Sequence, residues 1–567
     1  MTSAHEPRHA WVRLLVLLLV LALLPTSAQA EPPAAPSPGL PPLLGTAGRD
    51  LQHSFALPRL RDAPLSGPAR QLAELQVGRR AAQIGIDAAS AHAAWHLADG
   101  AVNAARARLA LPSPSTPHLF SGQRVSQLNA LLRDRRIDAI RVTSPRLEVD
   151  EPLLLDRPKV WLDLGRAELR AAEPVHSTRF LARIENAPGV TLEGGAFLSG
   201  EWGLLVNASR DVTVKAARFD GLQRGGVVAT DAAGLVLSRL VLQRLGAAPV
   251  LMHGATVDSA VLDNQIVQNR GVSNWNAGIV LSDREAAVTQ DPDSLLRDDR
   301  FGIKEQRIDK RLRTPRRNVI AFNRVAHNLS SGIYSDGGIQ NVFFDNLLEG
   351  NAKEGLCLDN GSAANVVAMN VIRLNGKRWG MSDAALKLDF VHRSGRLVDG
   401  SSAAKTPALS IDNAVHNIVY ANQIDRNYGG GVKMVRSAFF NLIGLNVITD
   451  NNLGTSDKFH FFGIELGSAV ADTHTLDLDY TPSRGNIVFG NVIRGSHYAG
   501  IFFGAGSTDN DVFDNTIFGA THWALEQARP QPNSSLNNLS NLPSRNVQAG
   551  IDPRLMELTK GRYDSSP

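Results

Sequence analysis

The chain has 567 residues, a formal net charge of +4 and a single cysteine, Cys357, which excludes an intramolecular disulfide. Its small positive charge is compatible with an anionic partner but does not require one. The basic run from Lys304 to Arg317 contains no aromatic residue for stacking on bases, so the sequence argues against a nucleic-acid partner.

Residues 1–30 have the pattern of a secretory signal peptide. Arg8 and Arg13 lead into an apolar run from Leu14 to Leu24, and the small-residue motif Ala28-Gln29-Ala30 follows. This pattern predicts cleavage after Ala30 and a mature protein in the periplasm or outside the cell. The apolar run is too short for a membrane-spanning helix, which needs about 20 residues, so no membrane span is expected in the mature protein.

Three further stretches are interpreted from their composition and periodicity. Residues 31–50 are rich in Pro and predict an extended linker, and residues 551–567 predict a C-terminal tail. Residues 51–135 predict a helical N-terminal region, with helices within Pro68–Leu109 and Ser121–Arg135. The second of these helices has an apolar face that would cap the open end of the next domain, formed by Val125, Leu128, Leu131 and Leu132.

Residues 136–550 contain a short phrase that returns about every 24 residues. It reads NVFFDNLLEGN from Asn341, and other copies begin at Asn318, Asn365, Asn417, Asn441, Asn486 and Asn510. Short apolar runs separated by Asn predict strands and turns, and stacked copies of such a unit bury one continuous core. The predicted fold class is an all-β solenoid, a parallel β-helix of roughly 13 coils. The repeated Asn residues are expected to adopt left-handed backbone in the turns and to stack their amides, so they are interpreted as scaffold.

These repeats resemble the right-handed parallel β-helix superfamily of pectate-lyase-like proteins, over about residues 136 to 550. The resemblance implies a right-handed, single-stranded helix with an N-terminal helical cap. It also implies a carbohydrate-active protein, because members include polysaccharide lyases, polyuronate C5-epimerases, glycoside hydrolases and non-catalytic binding proteins. Lysine bases and aspartate-bound Ca²⁺ have precedents in that superfamily.

A second strand follows each phrase, and aligning these strands on their opening small residue predicts which side chains face the core. Positions one and three after that residue are apolar and should point inward, so positions two and four should point outward. The first outward column reads Val280, Tyr334, Cys357, Lys387, Lys433, Glu465 and Phe502. The second reads Ser282, Asp336, Asp359, Asp389, Val435, Gly467 and Gly504.

Successive rungs of a β-helix are about 4.8 Å apart, so the three aspartates in this column need a compensating charge. The sequence predicts that Asp336, Asp359 and Asp389 could hold Ca²⁺, with no organic cofactor. The predicted catalytic residues are Lys387, Lys433, Asp389 and Glu465, because paired lysines lower each other's pKa and one can then act as a base. The structural alternative is that the aspartates cap turns and the lysines are solvated.

Insertions are expected after Asp283, after Asp389 and after Gly467, where they would form the walls of a groove. The predicted substrate-binding residues lie in or beside these walls or on the strands, namely Tyr334, Arg436, His392, His460, Arg311 and Arg313.

Together these features predict an exported, monomeric enzyme acting on an anionic polysaccharide, as a lyase or a uronate C5-epimerase. One alternative is an inverting glycoside hydrolase, because Asp336 and Asp389, two rungs apart, would be separated by about 9.6 Å. The other is a non-catalytic protein for polysaccharide binding or export. Unsaturated sugar ends would identify a lyase, altered C5 stereochemistry an epimerase, and new saturated reducing ends a hydrolase.

Overall fold

The computed structural model describes residues 100, 102–171, 180–272, 274–282, 314–377, 406–435, 438–453 and 462–467, and parts of 483–541. All of them belong to one compact unit, Asp50–Pro567. The predicted signal peptide, the linker, most of the helical region and the tail lie outside these residues.

Each coil of the described chain contributes three short strands, which stack on the coils before and after to form three faces. The first two faces belong to one 26-stranded parallel sheet, because the long strands β5 (Trp161–Ala171) and β7 (Thr191–Leu198) extend across both. The third face is a separate sheet of 13 strands, which agrees with the predicted number of coils.

Apart from β5 and β7, the first face contains β1 His118–Phe120, β2 Ala139–Val142, β9 Thr213–Lys215, β12 Val236–Ser238, β15 Ala260–Leu262, β18 Val319–Ala321, β21 Val342–Phe344, β24 Val366–Ala368, β27 Ile418–Tyr420, β30 Leu442–Gly444, β33 Ile487–Phe489, β36 Asp511–Phe513 and β39 Leu539–Asn541. The second face contains β3 Arg146–Val149, β10 Arg218–Asp220, β13 Val241–Gln243, β16 Gln265–Val267, β19 Arg324–Ala326, β22 Leu347–Glu349, β25 Val371–Arg373, β28 Gln423–Asp425, β31 Val447–Thr449, β34 Val492–Arg494 and β37 Thr516–Phe518.

The third face contains β4 Leu153–Leu155, β6 Phe180–Glu185, β8 Trp202–Asn207, β11 Val227–Thr230, β14 Val250–His253, β17 Ile279–Ser282, β20 Ile333–Asp336, β23 Leu356–Asp359, β26 Leu409–Asp412, β29 Val432–Val435, β32 Ile464–Leu466, β35 Ala499–Phe503 and β38 Trp523–Gln527. One core runs through all three faces, and the predicted inward residues of the third face are buried in it, for example Ile333, Leu358, Met434 and Leu466.

The N-terminal end of this core is covered by a helix, as predicted. Helix α2 spans Val125–Leu132, and its Val125, Leu128 and Leu132 join the core, whereas Leu131 is only partly buried. The earlier helix α1 spans residues 102–109. Strand β1 precedes α2 and pairs with β2, so strand pairing begins before the predicted start at residue 136. In the part of the chain that the structure describes, no helix is long and apolar enough to cross a membrane.

The repeated Asn residues form three buried ladders at the corners of the coils. In one of them, Asn346 Nδ2 donates a hydrogen bond to Asn370 Oδ1 at 2.9 Å, and the backbone N–H of Asn346 donates to the same oxygen. Asn346 Oδ1 in turn accepts from Asn323 of the previous coil. The interpretation of these residues as scaffold therefore matches the bonds that they make.

The left-handed backbone at the corners was predicted at these ladder Asn residues, and this is wrong by one position. Phe322, Asp345 and Met369 have φ of 62°, 48° and 57°, and each directly precedes a ladder Asn. The reason is that the Asn side chain must point inward to reach its ladder neighbour. The residue before it turns the chain and directs its own side chain outward.

His497 is a buried titratable group near the C-terminal coils, and it should make stability depend on pH. It is 1% exposed, and burial lowers its pKa from 6.5 to about 4. Between those values the unfolded chain binds a proton that the folded chain does not, so stability is full above about pH 6.5 and falls as the pH decreases toward 4. A pKa shift of this size corresponds to about 3 kcal/mol in the free energy of unfolding.

We expect His497→Gln to reduce the difference between urea midpoints measured at about pH 7 and about pH 4.5. Substitution of the exposed His416 by Gln is the control and should leave that difference unchanged.

Candidate functional site

Two rows of outward side chains follow the third face and place its polar residues together. The end row consists of the last residues of successive strands, Thr230, His253, Ser282, Asp336, Asp359 and Asp412. The central row lies two residues earlier on each strand and contains Val280, Tyr334, Cys357, Ser410, Lys433, Glu465 and Phe502. Parallel pairing in register thus brings three carboxylates into consecutive rungs, as expected, but the third is not the predicted one.

The rung after Asp359 is occupied by β26, which pairs with β23 on one side and with β29 on the other. Ser410 and Asp412 therefore take the positions predicted for Lys387 and Asp389, and that register prediction is wrong. Both segments have the same alternating apolar pattern, ALKLDF and ALSIDN, so periodicity alone does not separate them. The distance to the next ladder Asn does separate them. Asp336 stands five residues before Asn341, and of Asp389 and Asp412 only Asp412 repeats that distance, before Asn417.

This correction also moves one insertion. The extra residues were expected after the third-face strand, but the long segment between residues 377 and 406 precedes β26. The other two expected insertions do follow third-face strands, β17 and β32. Several predicted site residues lie outside the described residues, namely Lys387, Asp389, His392, Arg436, His460, Arg311 and Arg313.

Asp336 and Asp359 are linked by Asn360, and we call these three residues the acid clamp. Asn360 Nδ2 donates to Asp336 Oδ1 at 2.6 Å, and the Asn360 backbone N–H donates to Asp359 Oδ1 at 2.8 Å. Asn360 can reach both carboxylates because its backbone is left-handed, with φ of 49°. Asp336 is fully buried, whereas Asp359 is partly exposed, so Asp359 is the member of the pair that solvent can reach.

Tyr334 completes the arrangement from the central row. Its hydroxyl donates to Asp359 Oδ2 at 2.9 Å, and its ring meets Trp275 edge to face at 5.6 Å. Burial, followed by the charges of Asp359 and Asp336, raises the pKa of the Tyr334 phenol well above its ordinary value of 10. Since Tyr334 is only 3% exposed, its contacts fit a hydrogen-bond donor that positions Asp359 better than the predicted substrate-binding role.

Lys433 and Glu465 form an ion pair on neighbouring rungs, with 3.3 Å between Lys433 Nζ and Glu465 Oε2. The Lys433 side chain is 33% exposed and that of Glu465 is 6% exposed. The central-row neighbour of Lys433 on its other side is Ser410, not a second lysine. The predicted pair of lysines is therefore absent from this row, and the neighbours of Lys433 in it are a carboxylate and a serine.

The predicted Ca²⁺ site would use the carboxylate oxygens of the acid clamp. Three of the four oxygens of Asp336 and Asp359 accept hydrogen bonds from Tyr334 or Asn360. Within the described ranges, no group of three or more His, Cys, Asp or Glu side chains is arranged to hold a metal ion. The predicted site also includes Asp389, which lies outside the described residues, so Ca²⁺ binding stays a prediction and no step below uses a metal.

Sequence reasoning missed Asp412, Asn360 and His253. His253 could have been found by extending the strand alignment one rung upstream, where VLMHG places it before Ser282 in the end row. The role of Asn360 had no signal in the sequence, because Asn413 occupies the equivalent position after Asp412 with the same φ of 49°.

This equivalence provides a matched test of the acid clamp. Glycine accepts a left-handed φ, so Asn360→Gly and Asn413→Gly should cost the same backbone entropy. Only Asn360→Gly also removes a donor from a buried carboxylate, and we expect it to lower the free energy of unfolding by about 1–3 kcal/mol more than Asn413→Gly. Urea unfolding of both variants measures the difference. Equal losses would show that the side-chain bond to Asp336 contributes nothing to stability.

Comparisons with known proteins agree with this architecture. A family model described as a right-handed β-helix region matches residues 202–372. No curated protein sequence matches the chain. Among solved structures, the A-module of mannuronan C-5 epimerase AlgE6 from Azotobacter vinelandii is similar at 14% identity, with a TM-score of 0.40, 71% of this chain and 91% of that chain covered.

Two other solved structures come from different kinds of protein. Bacteriophage phi29 gene product 12 matches at 12% identity and a TM-score of 0.50, over 71% of this chain and 53% of that one. The catalytic domain of a GH87 α-1,3-glucanase matches at 10% identity and a TM-score of 0.44, over 77% and 70%. At such identities the likeness concerns the fold alone. The three-faced coils, their parallel register and the match over residues 202–372 together identify the fold of this chain as a right-handed parallel β-helix.

Proposed function

We propose that this chain is an exported enzyme that binds an acidic polysaccharide along the third face and removes the C5 proton of a uronate residue. The observation that carries the proposal is the partly exposed Lys433 in the rung next to Asp412, at the end of a row of three carboxylates. The predicted signal peptide supports export.

The chemistry needs a cation and a base on the same face. The C5 proton of a uronate becomes removable when the neighbouring carboxylate is neutralised, and the ammonium group of Lys433 can supply that positive charge. Asp412, whose strand is directly paired with that of Lys433, would then accept the proton. The electron pair left at C5 forms the C4–C5 double bond as the C4–O bond breaks, and the leaving oxygen takes a proton from the solvent, which gives a lyase. Return of a proton to the opposite face of C5 gives an epimerase instead.

A second candidate is glycoside hydrolysis, which rests on the spacing of Asp336 and Asp412 and requires that the polymer reach the buried Asp336. They lie two rungs apart, at about 9.6 Å by rung spacing, near the upper limit of about 9.5 Å for an inverting pair of carboxylates. This is the separation predicted for Asp336 and Asp389, now with Asp412 as the second acid.

The test is incubation of the purified full-length protein with a panel of uronate polymers and their carboxyl-reduced counterparts. Ultraviolet absorbance measures unsaturated ends, a reducing-end assay measures cleavage, and proton NMR measures C5 configuration. Reaction on uronates but not on the reduced polymers is expected. Saturated reducing ends would favour hydrolysis, and no reaction on any polymer would contradict an enzymatic role.

A further inference from the structure

A cavity of about 380 Å³ lies away from the third face, where helix α1 crosses the corner between the first and second faces. Its floor is a column of outward left-handed residues from three successive coils, Arg239, Asp263 and Phe322, with φ of 55°, 58° and 62°. Arg106 and Leu109 of α1 form the opposite wall. This volume lies within the range of about 300–1,000 Å³ that is usual for small-ligand sites.

The wall provided by α1 is fixed to the solenoid. Val102 and Ala105 are buried, with 1% and 0% exposure, so the inner side of the helix is packed. Arg108 donates a hydrogen bond to Asp211 at 3.5 Å, at the corner that precedes β9. On the floor, the ring of Phe322 meets Phe344 edge to face at 5.7 Å. Helix α1 and the Phe322 ring are therefore held in place by the solenoid.

The charged groups of the cavity are close enough to interact but are not paired with one another. Asp263 is attracted by both Arg106 and Arg239, yet among the described residues neither arginine forms an ion pair with it. Desolvation raises the pKa of the Asp263 carboxyl by more than the two arginines lower it. Desolvation likewise lowers the pKa of Arg106. The guanidinium donors thus face the cavity with their hydrogen-bonding capacity not used by Asp263.

We propose that this cavity is a second binding site for a carboxylated sugar residue, in which Arg106 and Arg239 hold the carboxylate. A guanidinium group matches a carboxylate in shape and can donate two parallel hydrogen bonds to it. Asp263 is placed to accept hydrogen bonds from sugar hydroxyls. Phe322, Leu109 and Leu262 offer an apolar wall to the C–H face of the ring. The choice of a uronate rests on the proposed function, and the site would hold the polymer without reacting with it.

The experiment is calorimetric titration of the full-length protein with short oligouronates and with their carboxyl-reduced forms. It is done in the Lys433→Ala background, to weaken binding at the third face. Arg239→Ala is expected to weaken oligouronate binding about 10-fold or more, the usual effect of a lost charge-assisted hydrogen bond. Arg426→Ala is the matched control, because Arg426 is also an exposed arginine at a left-handed corner, with φ of 49°, and lies outside the cavity lining. Phe322→Ala should weaken binding as well.

The outcomes separate this proposal from the proposed function. Oligouronate binding that depends on Arg239 supports the cavity site even if no polymer is turned over. Turnover that depends on Lys433, with equal oligouronate binding in the Arg239→Ala and Arg426→Ala variants, supports the enzyme and overturns the cavity site. Equal affinity for uronates and their carboxyl-reduced forms would also overturn it, since the arginines would then not recognise a carboxylate.

Discussion

Replacement of Lys433 by Met should lower turnover of a uronate polymer by about 10²- to 10⁴-fold, the usual effect of removing a positioned charged group from a reacting site. Lys433 lies in the rung next to Asp412, the last of the three carboxylates, and its side chain is partly exposed. Methionine keeps the length and most of the volume of the side chain, so the change removes mainly the charge. Initial rates on the best substrate of the panel measure the effect.

The control separates the loss of catalysis from the loss of stability. Lys433→Met leaves the buried Glu465 carboxylate without the ammonium group at 3.3 Å, and this should lower the melting temperature. The double variant Lys433→Met/Glu465→Gln removes both charges and should recover most of that loss. Turnover should stay low in both variants. If the double variant regained the parent's activity, Lys433 would act only through the ion pair, and its proposed role would be wrong.

The fold could be predicted because the repeat encodes it redundantly. Each of the Asn residues in a phrase marks a corner, and each apolar position fills the same core. A strand or turn assigned wrongly in one coil can therefore be corrected by comparison with the next copy of the repeat. The inward register of Ile333, Leu358 and Met434 was found in this way. The same reliance on the repeat explains the wrong register of Asp389. The inserted segment that contains it has the alternating apolar pattern of a third-face strand, so that pattern does not distinguish it from the true strand β26.

Burial of the outward rows could not be predicted from alternation. Alternation indicates which side of the sheet a residue faces, but it does not indicate what covers that side. Tyr334 and Cys357 face outward and still belong to a second apolar cluster, together with Val280 and Trp275. Their burial depends on residues distant in the sequence, and this is why Tyr334 was interpreted as a substrate contact. The bond from Asn360 to Asp336 likewise depends on coil stacking, which places residues 24 positions apart side by side.

The largest stability effect is expected from the middle of an Asn ladder. Asn346→Ala removes the oxygen that accepts from the Asn323 backbone N–H and from Asn323 Nδ2, and it removes the donor to the Ile320 carbonyl. All of these groups are buried, and each group left without a partner costs about 1–3 kcal/mol. We expect the free energy of unfolding of the coils on either side of residue 346 to fall by about 4 kcal/mol or more.

The neighbouring Asp345 provides the matched control for this change. It is exposed and left-handed, with φ of 48°, and Asn tolerates that conformation, so Asp345→Asn should change stability by no more than about 0.5 kcal/mol. In a solenoid each coil contacts only its neighbours, so a broken ladder should also uncouple the coils on either side. Asn346→Ala should therefore show two thermal transitions where the parent shows one, and amide exchange should be faster in β21 and β22 than in β9 and β10. A single transition with a loss below about 1 kcal/mol would mean that coil packing, and not the ladder, holds the solenoid together.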